Sequence, residues 1–222
     1  HSGMVEIEGA ASTPIFLTST YRLTDEKYKG WAEGLHHTGP VYSRISSVNS
    51  EVVSAKLASL ERAEDAEVFA SGMSAISTTL LTFLSAGDHV VATPDCYGGT
   101  YALLTDILPR MGIEVTMADI RDASSYEEAI QENTKVLYAE TMTNPTLKVC
   151  DLSAMADIAS KNDLISVVDN TFASPWSCNP VEMGFDIVIH SGTKYLGGHS
   201  DLTAGFVCLL YTSDAADDRY RG

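Results

Sequence analysis

The stretch Leu164-Ile165-Ser166-Val167-Val168-Asp169 decides the fold. It is apolar except at Ser166 until it ends on a carboxylate, is too short for a helix, and is rich in β-branched residues. Such a run reads as a strand buried on both faces, which places it in a mainly parallel sheet covered by helices. Working outward, the same pattern recurs along the chain. Strands are expected over 66–70, 89–93, 113–117, 136–140, 164–169, 186–190 and 204–208, with helices over 73–85, 99–111, 124–131 and 151–161. Strands alternating with helices of this length predict one α/β domain: a mainly parallel seven-stranded sheet with helices on both faces. Asn49 as an N-cap, followed by Val52, Val53, Leu57 and Leu60 at helical spacing, predicts a further helix over 50–62.

Upstream of Asn49 the periodicity disappears. Thr18-Ser19-Thr20-Tyr21, Gly30-Trp31 and Gly34-Leu35-His36-His37-Thr38-Gly39-Pro40 read as an extended arm with turns. The arm has too little apolar surface to fold alone, yet it holds Phe16, Tyr21, Tyr28, Trp31 and Tyr42. It is expected to lie on another surface, such as a second subunit.

Acidic residues exceed basic ones by 30 to 14 in the 222 residues, a formal charge of −16. That balance argues against nucleic acid and anionic membranes as partners, although a local amide-lined pocket can still hold an anion. No apolar stretch is long enough to span a bilayer, and the N-terminal residues lack a signal peptide's basic start and apolar centre, so a cytoplasmic location is expected. The four cysteines (Cys96, Cys150, Cys178, Cys208) are far apart and read as free thiols. His36-His37 has no third ligand at metal spacing, so no metal is expected.

Ligands of such sheets bind beyond the carboxyl ends of the strands, where helix N-termini present free amides. The polar segments there are Ser71-Gly72-Met73, Asp95-Cys96-Tyr97-Gly98-Gly99, Thr143-Asn144-Pro145, Asp169-Asn170-Thr171 and Ser191-Gly192-Thr193-Lys194. The last is not a phosphate-binding G-K-[ST] loop, because its order is G-T-K. Desolvation in a pocket would make Lys194 a nucleophile towards aldehydes, with the Ser191 and Thr193 hydroxyls free to bind a phosphate. The plain alternative is a solvated surface lysine. Asp169 is either a turn residue or a buried carboxylate beside a pyridine nitrogen, which it would keep protonated, so that the ring draws electrons as pyridoxal 5'-phosphate (PLP) chemistry requires. Tyr97 could lay its ring on a planar cofactor, and Asn144 could donate to a ring oxygen. Glu140, at a strand end, reads as structural support. His190 reads as a packed core histidine, His199 as a loop residue, and Met111, Met117 and Met142 as core filler. A nucleotide-binding domain is disfavoured, since no G-x-G-x-x-G follows a strand.

Five stretches in fixed order, Tyr42-Ser43-Arg44, Ala70-Ser71-Gly72-Met73, Asp95-Cys96-Tyr97-Gly98-Gly99-Thr100, Val168-Asp169-Asn170-Thr171 and Ser191-Gly192-Thr193-Lys194-Tyr195, resemble the Cys/Met-metabolism family of PLP enzymes. That family includes cystathionine γ-synthase, cystathionine γ- and β-lyases, methionine γ-lyase and O-acylhomoserine sulfhydrylase. The resemblance implies the aspartate-aminotransferase-like (type I) large domain. It also implies elimination or replacement at the γ- or β-carbon of a sulfur amino acid or O-acylhomoserine. Lys194 would hold the cofactor covalently and move protons on the substrate, Asp169 would pair with the pyridine nitrogen, and Tyr97 would stack on the ring and protonate the leaving group, making these three the catalytic residues. Asn144 would stand near the ring hydroxyl. The phosphate would be held by the Gly72 and Met73 amides, the Ser191 and Thr193 hydroxyls, and Tyr42 and Arg44 of a neighbouring subunit. A homodimer is then the minimal unit and a homotetramer the expected assembly.

The layout so implied is an intersubunit arm over 1–48, a PLP-binding domain over 49–208, and a non-native-looking tail over 209–222 where the family continues into a substrate-binding domain. The tail resembles translated sequencing-adapter read-through; a divergent acidic tail is the alternative. A rival reading is a fragment that binds PLP, or only associates, without turnover. Two positions depart from the family pattern: Ser47-Val48-Asn49 where many relatives read N-P-T, and Gly99 where methionine γ-lyases carry cysteine.

Overall fold

The computed structural model describes residues 12–33 and 39–210, apart from the side chain of Trp31. His36, His37 and the tail from Tyr211 onward lie outside the described residues. The chain divides into two compact units, His1–Leu57 and Ala58–Gly222.

In the N-terminal unit, two stretches of the expected arm run side by side. Tyr21 N donates to Val41 O at 3.0 Å, Ser43 N to Ser19 O at 2.9 Å, and Thr20 bridges to Tyr42. The arm is not extended throughout, because Asp25–Ala32 forms helix α1. Its sequence, DEKYKGWA, has no apolar stripe to reveal it; Asp25 and Glu26 in the first turn and Lys29 in the last instead complement the helix dipole.

Helix α2 (Val48–Glu61) begins before the expected cap. Ser47, not Asn49, caps it: Ser47 Oγ accepts Ser50 N–H at 3.0 Å, and Ser50 Oγ accepts Ser47 N–H at 2.9 Å. This is the reciprocal arrangement of a capping box, with serine in place of glutamate. Asn49 is thereby free to hold Phe16, accepting its N–H at 3.1 Å and donating to its carbonyl at 3.0 Å.

The second unit is the α/β domain. Its strands are β1 (Asp65–Phe69), β2 (His89–Ala92), β3 (Glu114–Met117), β4 (Thr134–Glu140), β5 (Ile165–Asp169), β6 (Ile187–Ser191) and β7 (Gly205–Leu209). They form one seven-stranded sheet in the order β1-β7-β6-β5-β4-β2-β3. β7 runs antiparallel to both β1 and β6, and the remaining pairings are parallel. Every expected strand is present, displaced by one or two residues at its ends.

Alternation along the strands sorts the core into two layers. Val90, Val136, Tyr138, Val167 and Ile189 point to the side filled by Ala75, Ile76 and Leu80 of α3 (Gly72–Phe83) and by Leu103, Leu104 and Leu108. Those three leucines lie on a helical stretch made of α4 (Gly98–Ala102), a π-turn (Leu103–Ile107) and α5 (Leu108–Arg110). Pro109 has no N–H to offer to the ladder, and the turn before it widens. The interleaving residues Leu137, Val168 and Val188 are buried on the other face. That face carries α7 (Leu152–Lys161), which follows α6 (Ala123–Glu128) and packs on β4 and β5 through its buried Met155, Ala156 and Ala159. A short α8 (Ser174–Ser177) and a 3₁₀ turn (Pro180–Met183) complete the β5–β6 connection. No helix among the described residues is long and apolar enough to cross a membrane.

Candidate functional site

The carboxyl ends of β4, β5 and β6 open onto a cleft of about 230 Å³. Asp169, the last residue of β5, reaches it because it shares the face of Val167. Glu140 ends β4 directly opposite Asp169 in the parallel register and enters the same cleft. Ser191 ends β6, and the turn after it brings in Thr193 and Lys194. That turn is closed by Lys194 N–H to Ser191 O at 3.2 Å and Gly197 N–H to Gly192 O at 2.8 Å. It needs glycine at 192, since a Cβ there would stand 2.2 Å from the Phe206 ring.

A fourth wall is the start of α3. Ser71 caps the helix by accepting Ser74 N–H at 3.1 Å, while its carbonyl accepts Ala75 N–H at 3.1 Å. The Gly72 and Met73 amides of the first turn, which have no partner inside a helix, stand at the cleft. Gly72 packs so closely on the β6 end that a Cβ would lie 2.8 Å from Ser191 Cβ and 3.1 Å from its Cα. Gly72, Met73, Ser191 and Thr193 thus line one cleft at a helix N-terminus, where an anion would be held. Thr193 Oγ1 also donates to Ala204 O at 3.4 Å and accepts Ala204 N–H at 3.3 Å.

Two buried carboxylates share the cleft, and burial acts on both. Glu140 is pushed up to about 8, by loss of water first and by the Asp169 charge second, against the pull of the Tyr97 and Asn144 N–H groups. Those groups donate to its two oxygens, Tyr97 N to Oε1 at 2.8 Å and Asn144 N to Oε2 at 3.2 Å. Burial likewise raises Asp169, opposed by its bonds from Thr171, whose N–H donates to Oδ1 at 2.9 Å, and by the charge of His190. Cys96 is buried and pushed up to about 12, so it is an inert thiol.

All the expected cofactor contacts in this unit (Lys194, Asp169, Tyr97, Asn144, Gly72, Met73, Ser191 and Thr193) line the one cleft. Tyr42 and Arg44 belong to the N-terminal unit, where Arg44 Nη2 donates to Tyr42 Oη at 3.0 Å and the guanidinium lies 4.9 Å from the ring centre. Lys194 is an exposed residue of the cleft wall. Thr171, from the strand-end segment Asp169-Asn170-Thr171, lines the cleft as well, and so does Phe172, which the sequence reading leaves out. Its place directly after Asp169-Asn170-Thr171 is the available signal. Among the described residues, no cluster of His, Cys, Asp or Glu could hold a metal ion.

A profile of the family described as Cys/Met metabolism PLP-dependent enzyme matches residues 1–219. The chain belongs to that family. It is 45% identical to cystathionine gamma-lyase of Bacillus subtilis over 209 residues, 93% of this chain and 53% of the relative. Its fold superposes at a TM-score of 0.87 on cystathionine gamma-lyase from Lactobacillus plantarum crystallised with L-serine, with 40% identity over 95% of this chain and 53% of that one. A protein described as an O-acetylhomoserine (thiol)-lyase from Campylobacter jejuni gives a TM-score of 0.90 at 31% identity, covering 96% of this chain and 52% of that one. Its structure carries a pyridoxyl-lysine monophosphate. The chain therefore spans about half the length of the relatives it matches, and its domain is the large domain of the type I PLP fold.

The family's cofactor is PLP, and the cleft fits it. Two helix amides and the Ser191 and Thr193 side chains lie on one wall, a buried carboxylate closes β5, and a lysine follows β6 in the same cleft. Phosphate, pyridinium and aldehyde each find the matching group.

Proposed function

We propose that this chain is the cofactor-binding portion of a PLP enzyme of sulfur amino-acid metabolism, acting by elimination or replacement at the γ- or β-carbon of a sulfur amino acid or O-acylhomoserine. The observation that carries the reading is the meeting of Asp169, Lys194 and the Gly72–Ser191 wall in one cleft. When bound, PLP supplies an aldehyde that condenses with amines and a ring that draws electrons from the substrate α-carbon. Lys194 Nζ would hold the cofactor and, when free, would take the proton from the substrate α-carbon and return it further along the substrate. Asp169 would pair with the ring nitrogen and keep its proton in place. Tyr97, exposed at the cleft mouth, would stack on the ring, and Asn144 would donate to the ring oxygen. The Gly72 and Met73 amides and the Ser191 and Thr193 hydroxyls would hold the phosphate.

Arg44 and Tyr42 complete the phosphate site of a neighbouring subunit, which makes a homodimer the minimal unit and a homotetramer the full assembly. Their mutual bond supports this, because it presents the guanidinium already oriented. The arm over 1–48 and the cofactor domain from 49 onward remain the proposed layout; the expected boundary at 208 moves, because Leu209 ends β7 and Leu210 N–H bonds to Asp186 O. A cytoplasmic location fits the free state of Cys96, Cys150, Cys178 and Cys208.

Borohydride reduction of the PLP-loaded chain, followed by peptide mapping, tests the reading. The reduced adduct is expected on the peptide containing Lys194. An adduct on another lysine, or none, would overturn it.

A further inference from the structure

Behind the cleft, on the other face of the sheet, lies a second group of buried polar side chains. Glu61 ends α2 and is fully buried. Its Oε1 accepts two bonds, from His190 Nε2 at 2.5 Å and Asn170 Nδ2 at 2.9 Å, and its Oε2 accepts Asn179 Nδ2 at 3.4 Å. Asn170 Nδ2 also donates to Cys178 O at 3.0 Å. His190 and Asn170 are themselves fully buried.

The two residues that Glu61 grips are the chain neighbours of two cleft residues. Asn170 follows Asp169, and His190 precedes Ser191. Successive side chains leave a strand on opposite sides, so anchoring one of each pair behind the sheet aims the other into the cleft. The backbone ties the two strand ends at the same level, with Asn170 N–H on Ile189 O at 2.8 Å and Ser191 N–H on Thr171 Oγ1 at 2.7 Å. The protonated form of His190 also opposes the burial that raises Asp169.

Stability alone is a poor explanation for this group. A buried ion pair gains little over apolar residues of the same volume. Among the described residues, Asn170 Oδ1 and His190 Nδ1 are buried without a partner, which is a further cost of placing polar groups here.

We propose that Glu61 is a positioning residue of the cofactor site: held out of the cleft, it pins the ends of β5 and β6 from behind and so fixes Asp169 and Ser191. The inference rests on reading the cleft as a PLP site. In the 222-residue chain, Glu61→Gln keeps the size but removes the charge, and Glu61→Asp keeps the charge. Thr134→Val, which removes the partner of His89 Nδ1 at the far end of the sheet, serves as a control for loss of stability alone. For each protein, the dissociation constant for PLP and the absorbance maximum of the bound cofactor are measured well below its Tm.

Glu61→Gln is expected to weaken PLP binding by about tenfold, the low end of what loss of an outer partner does at metal sites, and to shift the absorbance maximum. Glu61→Asp should recover part of both, and Thr134→Val should lower Tm while leaving both unchanged. A Glu61→Gln protein with lowered Tm but wild-type affinity and spectrum would overturn the proposal. If Glu61→Gln does not fold, His190→Gln leaves the carboxylate held by Asn170 and is judged by the same two readouts. Wild-type chain that fails to bind PLP would sink the underlying reading and this inference with it, whereas wild-type binding with an unchanged Glu61→Gln sinks this inference alone.

Discussion

Replacing Glu140 by Gln should reverse the sign of a stability difference as pH rises. The Glu140 carboxyl is pushed from 4.5 to about 8 in the folded chain. The native state therefore keeps a proton that the unfolded state has already released across that window. A group with a raised folded value gives its full contribution below about pH 4.5 and loses it as pH rises towards about 8. At ~1.36 kcal/mol for each pH unit, the loss over the window is on the order of 5 kcal/mol. Glutamine has no proton to release, so this slope disappears in the variant. It also has one carbonyl oxygen where Glu140 offers two, so either the Tyr97 or the Asn144 N–H is left facing an amide nitrogen. That costs roughly 1–3 kcal/mol at every pH. Glu140→Gln should thus be less stable than wild type at pH 5 and more stable at pH 8.5. For a domain of this size, ~1 kcal/mol moves Tm by about 2–4 °C, so the swing should reach on the order of 10 °C. Thermal melts of both proteins without PLP, in matched buffers from pH 5 to 9, give the difference directly, and titrating groups distant from Glu140 largely cancel. Parallel Tm curves across the range would refute the reasoning.

Two further outcomes follow from the cleft walls. Gly72→Ala forces a Cβ against the Ser191 backbone, so it should cost roughly 1–3 kcal/mol on denaturant melts and weaken inorganic phosphate as a competitor of PLP; unchanged stability and phosphate affinity would show that the two walls are not in contact. Arg44→Ala and Lys194→Ala should each lose tight, borohydride-reducible PLP binding and regain part of it when mixed, because one site of a mixed dimer carries both changes and the other neither. Absence of recovery despite demonstrated subunit exchange would assign Arg44 to its own chain's site.

The α/β domain was legible because its strands are buried on both faces, and burial of that kind writes itself as a continuous apolar run. The carboxylate ending β5 could be read as far as two alternatives, a turn residue or a buried pocket group, and the face it shares with Val167 decides between them. Where structure depends on polar partners instead, the sequence is silent or misleading. Helix α1 rests on charges at its two ends, and Asn49 fits a cap by residue type alone, although Ser47 does that work and Asn49 holds Phe16. Glu61 is the extreme case. Its partners Asn170 and His190 are 109 and 129 positions away, and nothing in the apolar pattern of α2 connects an acid at its end to either.

Two carboxylates stand opposite each other at the ends of β4 and β5, and the identity of the ligand-facing one follows from their bonds, not from their burial. Glu140 has both oxygens committed to backbone N–H groups, one from each of the loops that carry Tyr97 and Asn144. An additional partner would have to displace one of those bonds and move a cleft wall. Asp169 takes its hydrogen bonds from the backbone and side chain of Thr171, two positions along the same strand end, and so ties no second loop to the cleft. Nearby groups differ too: the Asp169 charge raises Glu140, whereas the His190 charge lowers Asp169. Like carboxylates in one site are pushed apart in this way, and the environment divides the duties between them. Glu140, favoured in its neutral form, holds two loops together, while Asp169, bonded within its own strand end and backed by the His190 imidazole, is the one suited to a protonated ring nitrogen. The division also explains why Glu61 matters more for Asp169 than for Glu140: its two short bonds end on the neighbours of the cleft residues of β5 and β6, and neither reaches β4.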